Sequence, residues 1–186
     1  PAAEVFVAVE RKDAGQELLR LIGELGRKTG TVTLIQMGEG LTLWARDSFL
    51  PLTSSKGLEQ FLVAPSHPGF ERRLDDRTVP ALLAERLRPR PQVTETDIYF
   101  EGGNIVSDER RVYTGYNGLE LNAHVPHMVY PSDLSSRLVE LLGRPVVLVG
   151  SYEDPPPHDH IDMYLTPLGN GRVLVGDPSL AVAYHS

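Results

Sequence analysis

The chain has 186 residues, 41% of them hydrophobic and 23% charged, and a formal net charge of −7. That length suits one domain, and that composition can bury a core and is not the composition of a disordered chain. The acidic balance argues against a nucleic-acid binder that works by neutralising phosphates and against docking on an anionic membrane, and leaves a cationic ligand open.

There are no cysteines. Disulfides, cysteine-ligated zinc and a thiol nucleophile are therefore excluded within these 186 residues. No apolar run reaches the roughly 18 residues of a membrane span. The opening PAAEVFVAVE has neither the basic start nor the long apolar stretch of a signal peptide. It lacks an initiator Met, so a trimmed or internal start is expected. The compartment is not legible; the cytoplasm is the default expectation.

Residues 4–10 alternate and are β-branched, which predicts a strand. After Asp13, the spacing of Leu18, Leu21, Ile22 and Leu25 predicts an amphipathic helix ended by Gly30. Strands are predicted over 31–38, over 41–47 after a turn at Gly38 and Gly40, and over 61–65. A short helix follows Pro80 within a charged stretch over 71–90. Residues 98–106 (IYFEGGNIV) read as a strand broken by Gly-Gly, and 110–118 as a strand ending in Asn-Gly. A helix over 131–143 has Ser132 or Asp133 as its cap and Gly143 as its stop. A buried strand over 145–150 and a hairpin turning at Gly169-Asn170-Gly171 complete the chain.

The β-α-β-β order thus recurs roughly three times. RVYTGYNGL from Arg111 and RVLVGDPSL from Arg172 share the pattern R-V-x-x-G-x-x-x-L, 61 residues apart. Three polar knots interrupt the apolar strands: Trp44-Ala45-Arg46-Asp47, Phe100-Glu101-Gly102-Gly103-Asn104, and His158-Asp159-His160-Ile161-Asp162. Asp47 to Glu101 is 54 residues and Glu101 to His160 is 59, close to the echo. Each knot is expected at a similar place in a successive module, and modules about an axis would bring the knots to one cavity. In an extended strand His160 and Asp162 share a face, while Ile161 and Met163 turn to the core. A His beside several carboxylates suits proton transfer near an anchored cation, and a planar guanidinium takes carboxylates in pairs.

The ordered set WARD, FEGGN and HID before an apolar strand resembles the guanidino-group-modifying enzymes of the pentein fold. These are the arginine, agmatine and protein-arginine deiminases and the amidinotransferases. The resemblance runs from residue 41 to about residue 178. It implies an α/β propeller of repeated ββαβ modules, of which this chain would hold about three of five in one domain over 1–186, incomplete at its C-terminus. It implies that Asp47 and Asp162 bind the guanidinium, that Glu101 orients the catalytic His, and that His160 is the general acid/base. It implies a Cys thiolate that attacks the guanidinium carbon, and no metal or other cofactor. The partner would be a small guanidino substrate, with a second copy or the missing modules covering exposed strand edges.

Two departures stand out. Asn104 occupies a position where the family often has Asp. The nucleophilic Cys is absent from these residues, so this chain alone is expected to be inactive, with the Cys expected beyond it. Three other readings stay open. His158, His160 and Asp162 also resemble the start of a zinc-hydrolase motif, with Met163 where a further His belongs and only His185 downstream. A non-catalytic pentein binding module would fit the missing Cys. A structural α/β repeat would need no small-molecule site. Trp44 and Tyr99 are read as packing beside the site, and His124 and His127 as loop residues. Glu153-Asp154-Pro155-Pro156-Pro157 is read as a rim, a lid or a surface loop.

Overall fold

The computed structural model describes residues 4–26, 32–37, 41–42, 44–57, 59–66, 75–154 and 160–177. The chain divides into two compact units, Pro1–Thr96 and Asp97–Ser186.

The first unit opens with β1 (Val5–Val9) and β2 (Val32–Gln36), paired in parallel with Val5 opposite Val32. Parallel strands need a crossover, and α1 (Lys12–Glu24) supplies it. Arg20 lies between Glu17 and Glu24 on the solvent side of α1, a pattern that supports an exposed helix. The buried stripe is narrower than the spacing suggested. Leu18 and Ile22 are half-buried, whereas Leu21 and Leu25 are exposed. The helix ends at Glu24 and Gly26 takes a φ of +68°, so it stops earlier than predicted; Gly30 lies outside the described residues.

The hairpin β3 (Leu50–Thr53) and β4 (Gln60–Ala64) follows, antiparallel with Leu50 opposite Val63. Then α2 (Val79–Arg86), with Pro80 in its first turn, leads to β5 (Gln92–Glu95), which joins β4 in parallel. Leu62, Val63 and Ala64 are buried, as is Ala84 of α2. The strand predicted over 41–47 does not form. Ala45–Asp47 is a 3-10 turn closed locally, Asp47 N donating to Trp44 O at 2.9 Å. Local closure of that bond competes with a ladder, and the strand begins only at Leu50.

The second unit repeats the order. Strands β6 (Ile105–Ser107) and β7 (Val112–Gly115) form an antiparallel pair. Helices α3 (Asn117–Leu121) and α4 (Pro131–Leu142) cross to β8 (Val146–Val149), parallel to β7. The predicted strand end at Asn117-Gly118 instead opens α3. Helix α4 stops at Gly143 as predicted, with φ +67°. Its cap differs: Tyr130 is the N-cap, and the Asp133 carboxylate accepts from Tyr130 N at 2.7 Å and Val129 N at 3.0 Å. The strand over 146–149 is half-buried along its length.

The hairpin β9 (Leu165–Gly169) and β10 (Arg172–Val175) follows. Its turn is the predicted one, with positive φ at Gly169, Asn170 and Gly171, and Glu109 accepts Asn170 N at 2.6 Å. Val106, Tyr113, Ile161 and Leu165 make a buried cluster, with Val147, Val149 and Tyr164 packed on it.

Two stretches, β3-β4-α2-β5 and β6-β7-α3-α4-β8, follow the ββαβ order that the resemblance implies. Among the described residues β1-α1-β2 and the hairpin β9-β10 lie outside these two stretches. The R-V-x-x-G echo has a structural counterpart: both copies lie on the second strand of a hairpin, β7 and β10. Among the described residues no helix is long and apolar enough to cross a membrane.

Candidate active site

The three polar knots occupy one place in the repeat. Ala45–Asp47, Gly102–Asn104 and Ile161–Met163 are 3-10 turns, each shortly before the first strand of a hairpin. Trp44, Glu101 and His160 are their N-caps. Glu101 and His160 are thus equivalent positions, while Asp47 is equivalent to Asn104.

The segment before Glu101 is not the strand predicted over 98–106. Ile98, Tyr99 and Phe100 are buried without a ladder, and regular strand begins at Ile105. A buried backbone must still find partners. The side chain of Asn122, fully buried, supplies them: its Oδ1 accepts Tyr99 N at 2.7 Å and its Nδ2 donates to Tyr99 O at 2.8 Å. The same Nδ2 donates to Gly118 O at 2.8 Å, so all the amide's usual functions are in use. The first unit has a parallel device: buried Asp76 accepts from Thr42 N at 2.9 Å and Thr42 Oγ1 at 2.7 Å, just ahead of the turn that carries Asp47.

Held this way, Tyr99 Oη donates to Glu101 Oε1 at 2.8 Å, and Glu101 Oε2 lies 3.0 Å from His160 Nε2. The two side chains are mostly but not wholly buried, with 14% and 21% of their surface exposed, so the pair is sheltered yet reachable. Gly103 seats the imidazole. A Cβ there would collide with His160 Nδ1 and lie 2.8 Å from Cγ. The structure thus brings together the residues expected to be the acid/base and its orienting carboxylate.

The other predicted residues fall as follows. Asp47 is in the first unit, 3% exposed, within its 3-10 turn. Asp162 is half-buried in the turn after His160. The expectation that His160 and Asp162 share a strand face is corrected: residues 161–163 form a tight turn, so the two-residue period does not apply. Ile161 does enter the core, at 0% exposed, but Met163 is 68% exposed and does not. His124 and His127 are exposed on a loop, as read. His158, His185 and Pro155-Pro156-Pro157 lie outside the described residues.

Asn104 is committed to structure. It accepts Gly115 N at 2.9 Å through Oδ1 and donates from Nδ2 to Asn117 Oδ1 at 3.0 Å. That requires one acceptor and one donor, which an amide provides and a carboxylate does not. The sequence places Tyr99 beside the site only as packing, not as a hydrogen-bond donor to Glu101, and marks neither Asn122 nor Gly103 as a support. Only the Gly-Gly step was a visible signal, because the partners of Asn122 are 23 residues away in the chain. A cavity beside Tyr99, Asn104 and Asn122 has about 10 Å³ for water-sized contents, room for about one water and far below substrate size.

No protein-family profile and no curated protein sequence matches the chain. Solved structures match it well. A protein assigned as a peptidyl-arginine deiminase superposes with a TM-score of 0.67 at 20% identity, over 92% of this chain and 51% of its own. Agmatine deiminase from C. jejuni gives 0.61 at 13% identity, over 91% and 47%. A protein from Porphyromonas gingivalis assigned as an arginine deiminase gives 0.62 at 17% identity, over 95% and 53%. At such identities the likeness speaks for the fold. The chain spans about half the length of these structures.

Proposed function

We propose that this chain, which has the α/β fold of the pentein guanidine-modifying enzymes, supplies the acid–base side of a guanidine-modifying site. The observation that carries the reading is the His160–Glu101 pair, held by Tyr99 and seated on Gly103. His160 is the proton-transfer group and Glu101 orients it. Asp47 and Asp162 are assigned the guanidinium by the resemblance of WARD and HID to the family's motifs. The modules would belong to a propeller of the pentein kind.

The chemistry needs a thiolate from outside these residues, since the 186 contain no Cys. Its sulfur would add to the guanidinium carbon, and the C–N bond would break as His160 protonates the leaving ammonia or amine. Water, deprotonated by His160, would then displace the sulfur in a deiminase; an amine would do so in an amidinotransferase. Arginine, agmatine and peptidyl arginine all fit this chemistry.

The test is ammonia release and amidino transfer from arginine, agmatine and an arginyl peptide, using the protein purified from its source. Turnover of one of them is expected, reduced about 10²–10⁴-fold by His160→Asn. Absence of both turnover and binding overturns the proposal. The cysteine count favours one second reading, a guanidinium-binding module without turnover. Saturable binding that Asp162→Asn weakens, with no product, would select it.

A further inference from the structure

We propose that Tyr99 and Asn122 are positioning residues for the His160–Glu101 pair, and that together they hold the carboxylate in the orientation that meets the imidazole. The significance of this for catalysis rests on the acid–base reading of His160; the geometry itself does not.

A glutamate's terminal torsion is broad, so a carboxylate held at one oxygen can still turn its plane away from a second partner. Glu101 is held at two. The Tyr99 hydroxyl donates its one proton to Oε1 at 2.8 Å, which leaves Oε2 toward His160 Nε2 at 3.0 Å. Tyr99 is 2% exposed, so its ring has no room to swing. Its backbone is fixed on both sides by one side chain, the Asn122 amide, at 2.7 and 2.8 Å. Asn122 is itself pinned at the end of α3, through Gly118 O and through its own N–H to Leu119 O at 3.1 Å. The line of constraint therefore runs from α3 through Asn122, Tyr99 and Glu101 to the imidazole. With Glu101 an acceptor at both oxygens, the proton at Nε2 is the one donated to it.

The measurement is proton and nitrogen NMR of the protein labelled at histidine nitrogens, without substrate. The wild type is expected to show a downfield His160 Nε2–H resonance that exchanges slowly with water. Glu101→Gln identifies it by removing the carboxylate. Tyr99→Phe deletes only the hydroxyl; it is expected to move that resonance upfield and speed its exchange about fivefold, the factor for one lost hydrogen bond. An unchanged resonance and exchange rate in Tyr99→Phe overturns the proposal. Asn122→Asp keeps the acceptor and loses both donors, and the same displacement is expected. Should that variant not fold, the Asn122 Nδ2 protons of the wild type decide. Exchange as slow as core amides supports the lock, and fast exchange overturns it. A protein that shows the signature but turns over no guanidine would sink the acid–base reading and leave the positioning intact.

Discussion

The imidazole of His160 rests against the bare backbone of Gly103, so closely that an added Cβ would collide with Nδ1 and sit 3.0 Å from Cε1. Two residues of one short turn thus divide the work: Glu101 bonds the ring and Gly103 seats it. Gly103→Ala should lift the ring off Glu101. The proposed guanidine turnover would then fall about 10²-fold or more, for a stability loss of about 1–3 kcal/mol. Turnover assays, with a structure of the variant, check this. An alanine variant that keeps both the 3.0 Å contact and the activity refutes it.

Asn104 makes a different argument, because the family resemblance invites an Asp there. Its Nδ2 donates to Asn117 Oδ1 while its Oδ1 accepts Gly115 N. Asn104→Asp keeps the second bond and sets two acceptors against each other in place of the first. A cost of about 1–3 kcal/mol is expected near neutral pH. It should shrink in acid, as the new carboxyl gains a proton it can donate. Urea unfolding of both proteins across pH measures the gap; equal midpoints throughout would refute the assignment.

Much of the fold was legible because it rests on short-range signals. The β-branched run at Val5–Val9, the Gly143 stop and the Asn170 turn each follow from one local rule. Glu101 and His160 were legible as polar residues set in apolar runs beside turn formers. The tight turns were not, since Ala45–Asp47 and Ile161–Met163 carry strand-like neighbours and close on a few local bonds. Nor were the supports. Asp76 reaches back 34 residues to Thr42, and Asn122 reaches 23 to Tyr99. Nothing in the local pattern of a lone Asn or Asp distinguishes a buried tether from a surface turn.

Asp108 gives the second unit a pH dependence. Its Oδ1 accepts Arg110 N and Arg111 N, both at 2.8 Å, in the turn between β6 and β7. The first of these bonds, then the second, holds the carboxyl below its ordinary value of 3.8. A depressed folded value means that the contribution is fully present above the unfolded value and is lost as pH falls through the folded one. Unfolding midpoints measured from about pH 5 to about pH 2 should therefore drop. The drop should be shallower in Asp108→Asn, whose side chain cannot titrate. Parallel curves for the two proteins would rule the turn out as a source of the acid sensitivity.

Ile161 joins the core to the imidazole, since it is the residue directly after His160 and is wholly buried against Val106, Tyr113 and Leu165. Its side chain anchors the turn from which the imidazole projects. Ile161→Val removes one methyl group and is expected to cost about 0.5–1.5 kcal/mol, while Ile161→Ala opens a cavity and costs about 2–5 kcal/mol. The smaller change should leave the His160–Glu101 contact in place. The larger one lets the turn shift, so the slowly exchanging imidazole proton should be lost under conditions where the rest of the unit is still folded. Denaturant titrations give the energies and histidine NMR gives the contact. Retention of that proton in folded Ile161→Ala would mean that Glu101 and Gly103 hold the ring without help from the core.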